Sequence, residues 1–171
     1  LDNVEADAKR TGARLVPSAG FDSIPSDLGV KMLADYARDR HGKKLAQTRL
    51  VMLRSKGGVS GGTLASALGI ADLARKDPSV RKLLRDPYAL SPDRTRELSN
   101  DGPDPMSVRH DTEFDVWTAP FVMGAINTRV VRRSNALLNH AYGKGFSYAE
   151  WMSFGPGARG YATAAAANVA L

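Results

Sequence analysis

A chain of 171 residues, 43% hydrophobic and 25% charged, is long enough to close one buried core and reads as one domain with at most a stub of a second. With no cysteine, disulfides and thiolate metal ligands are excluded, and no apolar run approaches the ~20 residues that span a bilayer. The formal charge of +6 is spread along the chain without a basic run or a nucleic-acid-binding motif, so no nucleic-acid partner is expected.

Residues 1–11 are predicted to be helical and to end at Gly12, where glycine supplies the left-handed conformation after a helix. Arg14-Leu15-Val16-Pro17-Ser18 reads as a short strand and Ala19-Gly20 as the turn after it. Ser26 or Asp27 is expected to cap the next helix, whose apolar residues Leu28, Met32, Leu33 and Tyr36 recur at helical spacing. A second strand is expected within Leu45–Ser55, followed by the glycine-rich run 56–63 and helices over about 64–75 and 78–84. Residues 86–111, with Pro87, Pro92, Pro103 and Pro105 among many polar residues, read as a long surface loop. Val116–Met123 is predicted to be extended. A helix capped at Asn127 or Thr128 follows, with Val130, Val131, Ser134, Leu137, Leu138 and Ala141 inward and Gly143 and Gly145 at its end. Tyr148–Ser153 alternates as a strand should, and an Ala-rich helix former closes the chain. The fold class implied is α/β or α+β, a mixed β-sheet with flanking helices.

Three constellations carry candidate chemistry. Ser18–Asp27 lies between a strand end and a helix start, where orphan amides favour an anion or a polarised oxygen; the same residues also read as a plain cap, with Pro25 stiffening the helix entry. Gly57-Gly58-Val59-Ser60-Gly61-Gly62-Thr63 either brings backbone amides close to a ligand or is a flexible connector capped by Thr63, and it matches neither a P-loop nor a dinucleotide fingerprint. Arg129, Arg132 and Arg133 share a helix face that suits phosphate or carboxylate, or pairing with acids of the chain itself. His41, His110 and His140 stand far apart, so no metal site is expected.

Several long motifs occur in one order: Gly20-Phe21-Asp22-Ser23-Ile24-Pro25-Ser26-Asp27, Ser60-Gly61-Gly62-Thr63-Leu64-Ala65-Ser66, Asp86-Pro87-Tyr88-Ala89-Leu90-Ser91-Pro92 and Asn127–Leu137. Together they resemble the saccharopine-dehydrogenase-like oxidoreductases, most of all the trans-acting enoyl reductases. One departure is Ala19, where relatives often carry cysteine.

The resemblance implies an internal fragment. Residues 1–18 would end an NAD(P)-binding Rossmann domain, and 21–171 would form the catalytic or substrate domain, which often also pairs subunits. The intact protein would be an NAD(P)H-dependent oxidoreductase reducing enoyl lipid or polyketide intermediates, with NADP or NAD as cofactor. The fragment alone, lacking the glycine-rich loop, would hold no cofactor and be inactive. On this reading Asp22, Ser23, Ser26 and Tyr88 are the candidate catalytic residues, with Tyr142 and Tyr148 as other proton donors. Ser18, Gly20, Phe21 and Asp22 would border the cofactor, while Ser60, Gly61, Gly62, Thr63, Arg129, Arg132 and Arg133 would meet substrate or its anionic groups. Expected partners are an acyl or lipid substrate, free or on a carrier protein, and a second copy of the chain in a homodimer. A cytoplasmic protein, membrane-associated or not, is expected. The competing reading is a non-catalytic binding or dimerisation module that keeps the fold.

Overall fold

The structure, a computed structural model, describes residues 2–16, 23–53, 61–97 and 104–169. Helix α1 (Asp2–Thr11) ends at Gly12, whose φ of 72° is the left-handed conformation glycine adopts without strain. The strand expected at Arg14–Ser18 does not form over Arg14–Val16, which are irregular and exposed; Pro17–Asp22 lie outside the described residues. The expected division of the chain at residues 18–21 falls in that same stretch.

Helix α2 (Ile24–His41) is followed by strand β1 (Gln47–Met52), helix α3 (Gly61–Lys76) and helix α4 (Pro78–Arg85). Helix α3 starts at Gly61, so Gly61, Gly62 and Thr63 belong to its first turn and are not a connector before it. Ser60 lies outside the described residues. The expected loop at 86–111 is structured where it is described. A turn at 87–90 and a 3₁₀ turn at Arg94–Arg96, capped by Asp93, lead toward strand β2 (Arg109–Asp111). Strand β3 (Val116–Pro120), helix α5 (Gly124–Leu137), strand β4 (Ser147–Ser153) and helix α6 (Gly157–Val169) complete the order.

The four strands form one mixed sheet in the order β1-β4-β3-β2. β1 and β4 are parallel, with Gln47 opposite Ser147 and Met52 opposite Met152. The β4–β3 and β3–β2 pairs are antiparallel. Helices α2 and α5 pack together and α5 lies on β4, enclosing a core of Val30, Val131, Tyr142, Phe146 and Tyr148. Helix α6 lies against β3, where Trp117 and Tyr161 meet edge to face at 4.8 Å.

Two helices turn unexpected faces inward. In α2 the predicted apolar stripe is exposed, Met32 at 71% and Tyr36 at 57%, while Ser26, Val30 and Ala34, spaced by four, face the protein. Leu137 at the end of α5 and Leu138 just after it are exposed, and the buried face of α5 is Asn127, Thr128, Arg129, Val131, Arg132 and Asn135. Each of those polar residues meets a polar partner of the chain, so hydrogen bonding rather than apolar content selects the face. Asn127 and Thr128, expected as caps, lie inside α5, and Ser26 and Asp27 lie inside the first turn of α2.

Close packing at the α6 start leaves no room for a side chain. A Cβ on Gly160 would lie 2.1 Å from the Gly155 carbonyl oxygen, inside van der Waals contact with backbone that cannot rotate away. Gly160→Ala is therefore expected to lower unfolding free energy by about 3 kcal/mol in a denaturant titration. An unchanged midpoint would show that α6 docks differently.

Candidate functional site

Seven polar side chains converge where the start of α2, the middle of α5 and β4 meet. Along β4 the alternation of a strand puts Tyr148 and Glu150 on the face toward α5. Gly124 packs against that strand, and a Cβ there would meet the Glu150 Cβ at 3.4 Å, an ordinary contact. Asn127, one turn further, reaches Glu150: its Nδ2 donates to Oε2 at 2.8 Å. The Tyr148 hydroxyl donates to Oε1 at 2.8 Å, and Ser26 hydrogen-bonds that hydroxyl. Ser23 Oγ donates to Asn127 Oδ1 at 2.8 Å. Ser23, Asn127 and Glu150 are at most 1% exposed.

The direction of this chain is dictated. The Asn127 amide presents its NH₂ to Glu150, which leaves its oxygen to accept from the Ser23 hydroxyl. Among the described residues, the donors to the Glu150 carboxylate are two neutral groups, with no cation paired to it. Ser23 occupies the N-cap position of α2 but makes no side-chain cap bond, because its hydroxyl is turned inward. The first-turn amides of α2 thus have no side-chain acceptor from Ser23.

Burial, then the Glu150 charge and hydrogen bond, push the Tyr148 phenol far above its ordinary pKa and keep it protonated. Asp27 extends the cluster: its Oδ2 accepts from Ser134 Oγ at 2.9 Å, while Oδ1 is buried without a partner. Burial raises the Asp27 carboxyl above the usual range, and the Ser134 bond offsets this only in part.

The other expected site residues lie elsewhere or outside the described residues. Ser18, Gly20, Phe21 and Asp22 fall outside them. Tyr88 sits on the turn after α4 with the guanidinium groups of Arg94 and Arg132 at 5.7 and 5.6 Å from its ring centre. The α5 arginines bind the chain itself. Arg129 donates to the carbonyls of Leu84, Asp86 and Ala125 and to Asp104 at 2.7 Å. Arg132 donates to the Pro87 carbonyl, and Arg133 to that of Leu90. Sequence reasoning did not single out Glu150 or Asn127 as partners. The available signal was an acid two residues from Tyr148 on the inward face of an otherwise half-apolar strand. No group of three or more His, Asp or Glu among the described residues is placed to hold a metal ion. No helix among them is long and apolar enough to cross a membrane.

Comparison with known proteins supplies relatives. The chain is 47% identical over 161 residues to a Mycobacterium tuberculosis protein provisionally named a trans-acting enoyl reductase. It is 43% identical over 162 residues to the trans-acting enoyl reductase of Mycobacterium ulcerans and 42% over 165 residues to that of Mycobacterium leprae. Each match covers 91% of this chain and 38% of the relative, so the chain spans well under half the length of the proteins it resembles. No protein-family model and no solved structure matches.

Two measurements probe the cluster. Asn127→Ala strips Glu150 of one donor and should cost about 3 kcal/mol in unfolding free energy; adding Glu150→Leu should recover part of it by removing the unsatisfied buried polar group. Asp27→Asn tests the raised carboxyl. A carboxyl raised in the folded state contributes stability below its unfolded pKa of 3.8, which is lost as pH rises through the folded value. The asparagine variant should therefore be the more stable protein at pH 7 and lose that advantage at pH values below 3.8, read from melting curves at both ends.

Proposed function

We propose that this chain is the substrate-binding part of an NAD(P)H-dependent enoyl reductase acting on lipid or polyketide intermediates. The observation that carries the reading is the 40–47% identity to proteins named trans-acting enoyl reductases, sustained over 91% of the chain. The reduced nicotinamide supplies the hydride when bound. The residues of this chain bind and orient the enoyl group, exclude water from it and hold the donors that meet charge developing on its carbonyl oxygen.

The α2 start is where that reading locates the reacting end of the substrate. With the Ser23 hydroxyl committed to Asn127, the first-turn amides of α2 remain for an oxygen that gains negative charge. Ser26 and the protonated Tyr148 stand directly behind them. Asp22 precedes this turn in sequence and is assigned to orient cofactor or substrate, Ser23 and Ser26 to hold the turn in its working geometry. A buried hydrogen-bonded chain beneath a ligand turn keeps its amides aligned without reorganisation during reaction.

The test uses the full-length protein with NADPH and a trans-2-enoyl pantetheine thioester. The expected result is NADPH oxidation matched one for one by loss of the enoyl absorbance. No turnover with intact folding would favour a non-catalytic binding module. In the active protein, Asp22→Asn is expected to reduce kcat/KM roughly tenfold, ~1.4 kcal/mol of transition-state stabilisation, with Tm unchanged. A lowered Tm with full activity per folded molecule would make Asp22 a structural residue.

A further inference from the structure

A second feature lies at the opposite end of α2. There an open cleft of about 340 Å³ forms between the last turns of α2, the segment leading to β1 and the turn after α5. Four cations line it, Lys31, Arg38, Lys43 and Lys44, against one carboxylate, Asp35. Its floor is apolar, built by Ala34, Leu138, Ala141 and the ring of Tyr142.

The charges are not balanced within the protein. Asp35 is shared by Lys31 at 2.5 Å and Arg38 at 2.8 Å. Arg38 also pairs with Asp39. Lys43 and Lys44 make no side-chain hydrogen bond or ion pair among the described residues. Nor does the helix end require them: Gly42 and Lys43 satisfy the carbonyls of Arg38 and Ala37 with their backbone N–H groups.

Tyr142 provides a second, independent observation. It lines the cleft, is only 2% exposed, and its hydroxyl is buried with no hydrogen-bond partner. A hydroxyl in that position normally finds an acceptor. Burial, followed by the charges of Asp27 and Asp35, pushes its pKa up to about 12, so it is a proton donor at every physiological pH.

We propose that this cleft binds a phosphate monoester bearing a short apolar group. The phosphate is held by Lys43, Lys44 and the Tyr142 hydroxyl, and the apolar group lies on Ala34, Leu138 and Ala141. A dianion matches this set better than a carboxylate does. A phosphate monoester carries about −1.5 to −2 at pH 7 and offers several acceptor oxygens, whereas a carboxylate would leave most of the cationic rim uncompensated. The volume falls in the roughly 300–1,000 Å³ range of small-molecule pockets. This assignment is independent of the proposed reduction.

The experiment is calorimetric titration of the protein with hexyl phosphate, with inorganic phosphate and hexanoate as comparisons. Saturable binding of hexyl phosphate, tighter than either comparison, is expected. Lys43→Gln combined with Lys44→Gln should weaken it about tenfold or more, and Tyr142→Phe about fivefold, with folding checked by the melting curve. Vesicles of phosphatidylcholine with and without phosphatidic acid identify the source. Co-sedimentation only with phosphatidic acid assigns the site to a lipid headgroup; hexyl phosphate binding without co-sedimentation assigns it to a soluble ester. Absence of saturable hexyl phosphate binding, or binding that neither variant changes, overturns the proposal.

Discussion

A carboxylate sealed inside the protein sets the terms for everything around it. Taking a carboxyl group such as that of Glu150 out of water is costly unless hydrogen-bond partners replace the solvent. The donors come from separate parts of the chain. Asn127 brings α5 and Tyr148 shares the strand, while Ser23, bonded to Asn127, and Ser26, bonded to Tyr148, bring α2 to the same spot. Asn127, Glu150 and Tyr148 are each held by a partner on either side, and the helices inherit that rigidity. Helix–sheet packing, which apolar contact alone leaves free to slide, is thereby registered to within a hydrogen bond.

The same economy of polar groups organises the segment between α4 and β2. Guanidinium groups of α5 take up the carbonyls of Leu84, Asp86, Pro87 and Leu90, and Asp104 receives Thr128 and Arg129 together. A stretch rich in proline lacks the N–H groups to pair its own carbonyls, so a neighbouring helix with forked donors is a physical complement to it. Arginine serves here because one side chain satisfies several backbone oxygens at fixed angles.

Much of the secondary structure was legible from periodicity and punctuation: β1, α3, α4 and β4 begin and end within a few residues of where the sequence pattern, Pro78 and the alternation at Tyr148–Ser153 put them, and α2 begins within a few residues of its expected cap. Orientation was harder to read. Leu28, Met32, Leu33 and Tyr36 make a cleaner helical stripe than Ser26, Val30 and Ala34, yet the weaker stripe faces inward. Hydrophobic periodicity measures transfer from water and carries no record of a buried hydrogen-bond partner a hundred residues away. Ser23 and Ser26 were reachable as site candidates through their place at a helix start. Asn127 looked like a cap because its side-chain bond is long-range and leaves no local trace. Glu150 was hidden by the assumption that alternation assigns acids to water.

The pairing of β1 with β4 has a bearing on how the protein comes to be. Gln47 finds its parallel neighbour at Ser147, so among the described residues β1 has no in-sheet partner until chain about 100 residues later exists. Joining such distant segments spends loop entropy before any ladder bond rewards it, which slows acquisition of the native state. During synthesis at ~5–20 residues per second, β1 emerges and then waits several seconds with its backbone groups unpaired. Over that interval Leu50, Val51 and Met52 stand on a strand that no other described strand covers, the condition in which chaperone capture or association between nascent chains competes with folding.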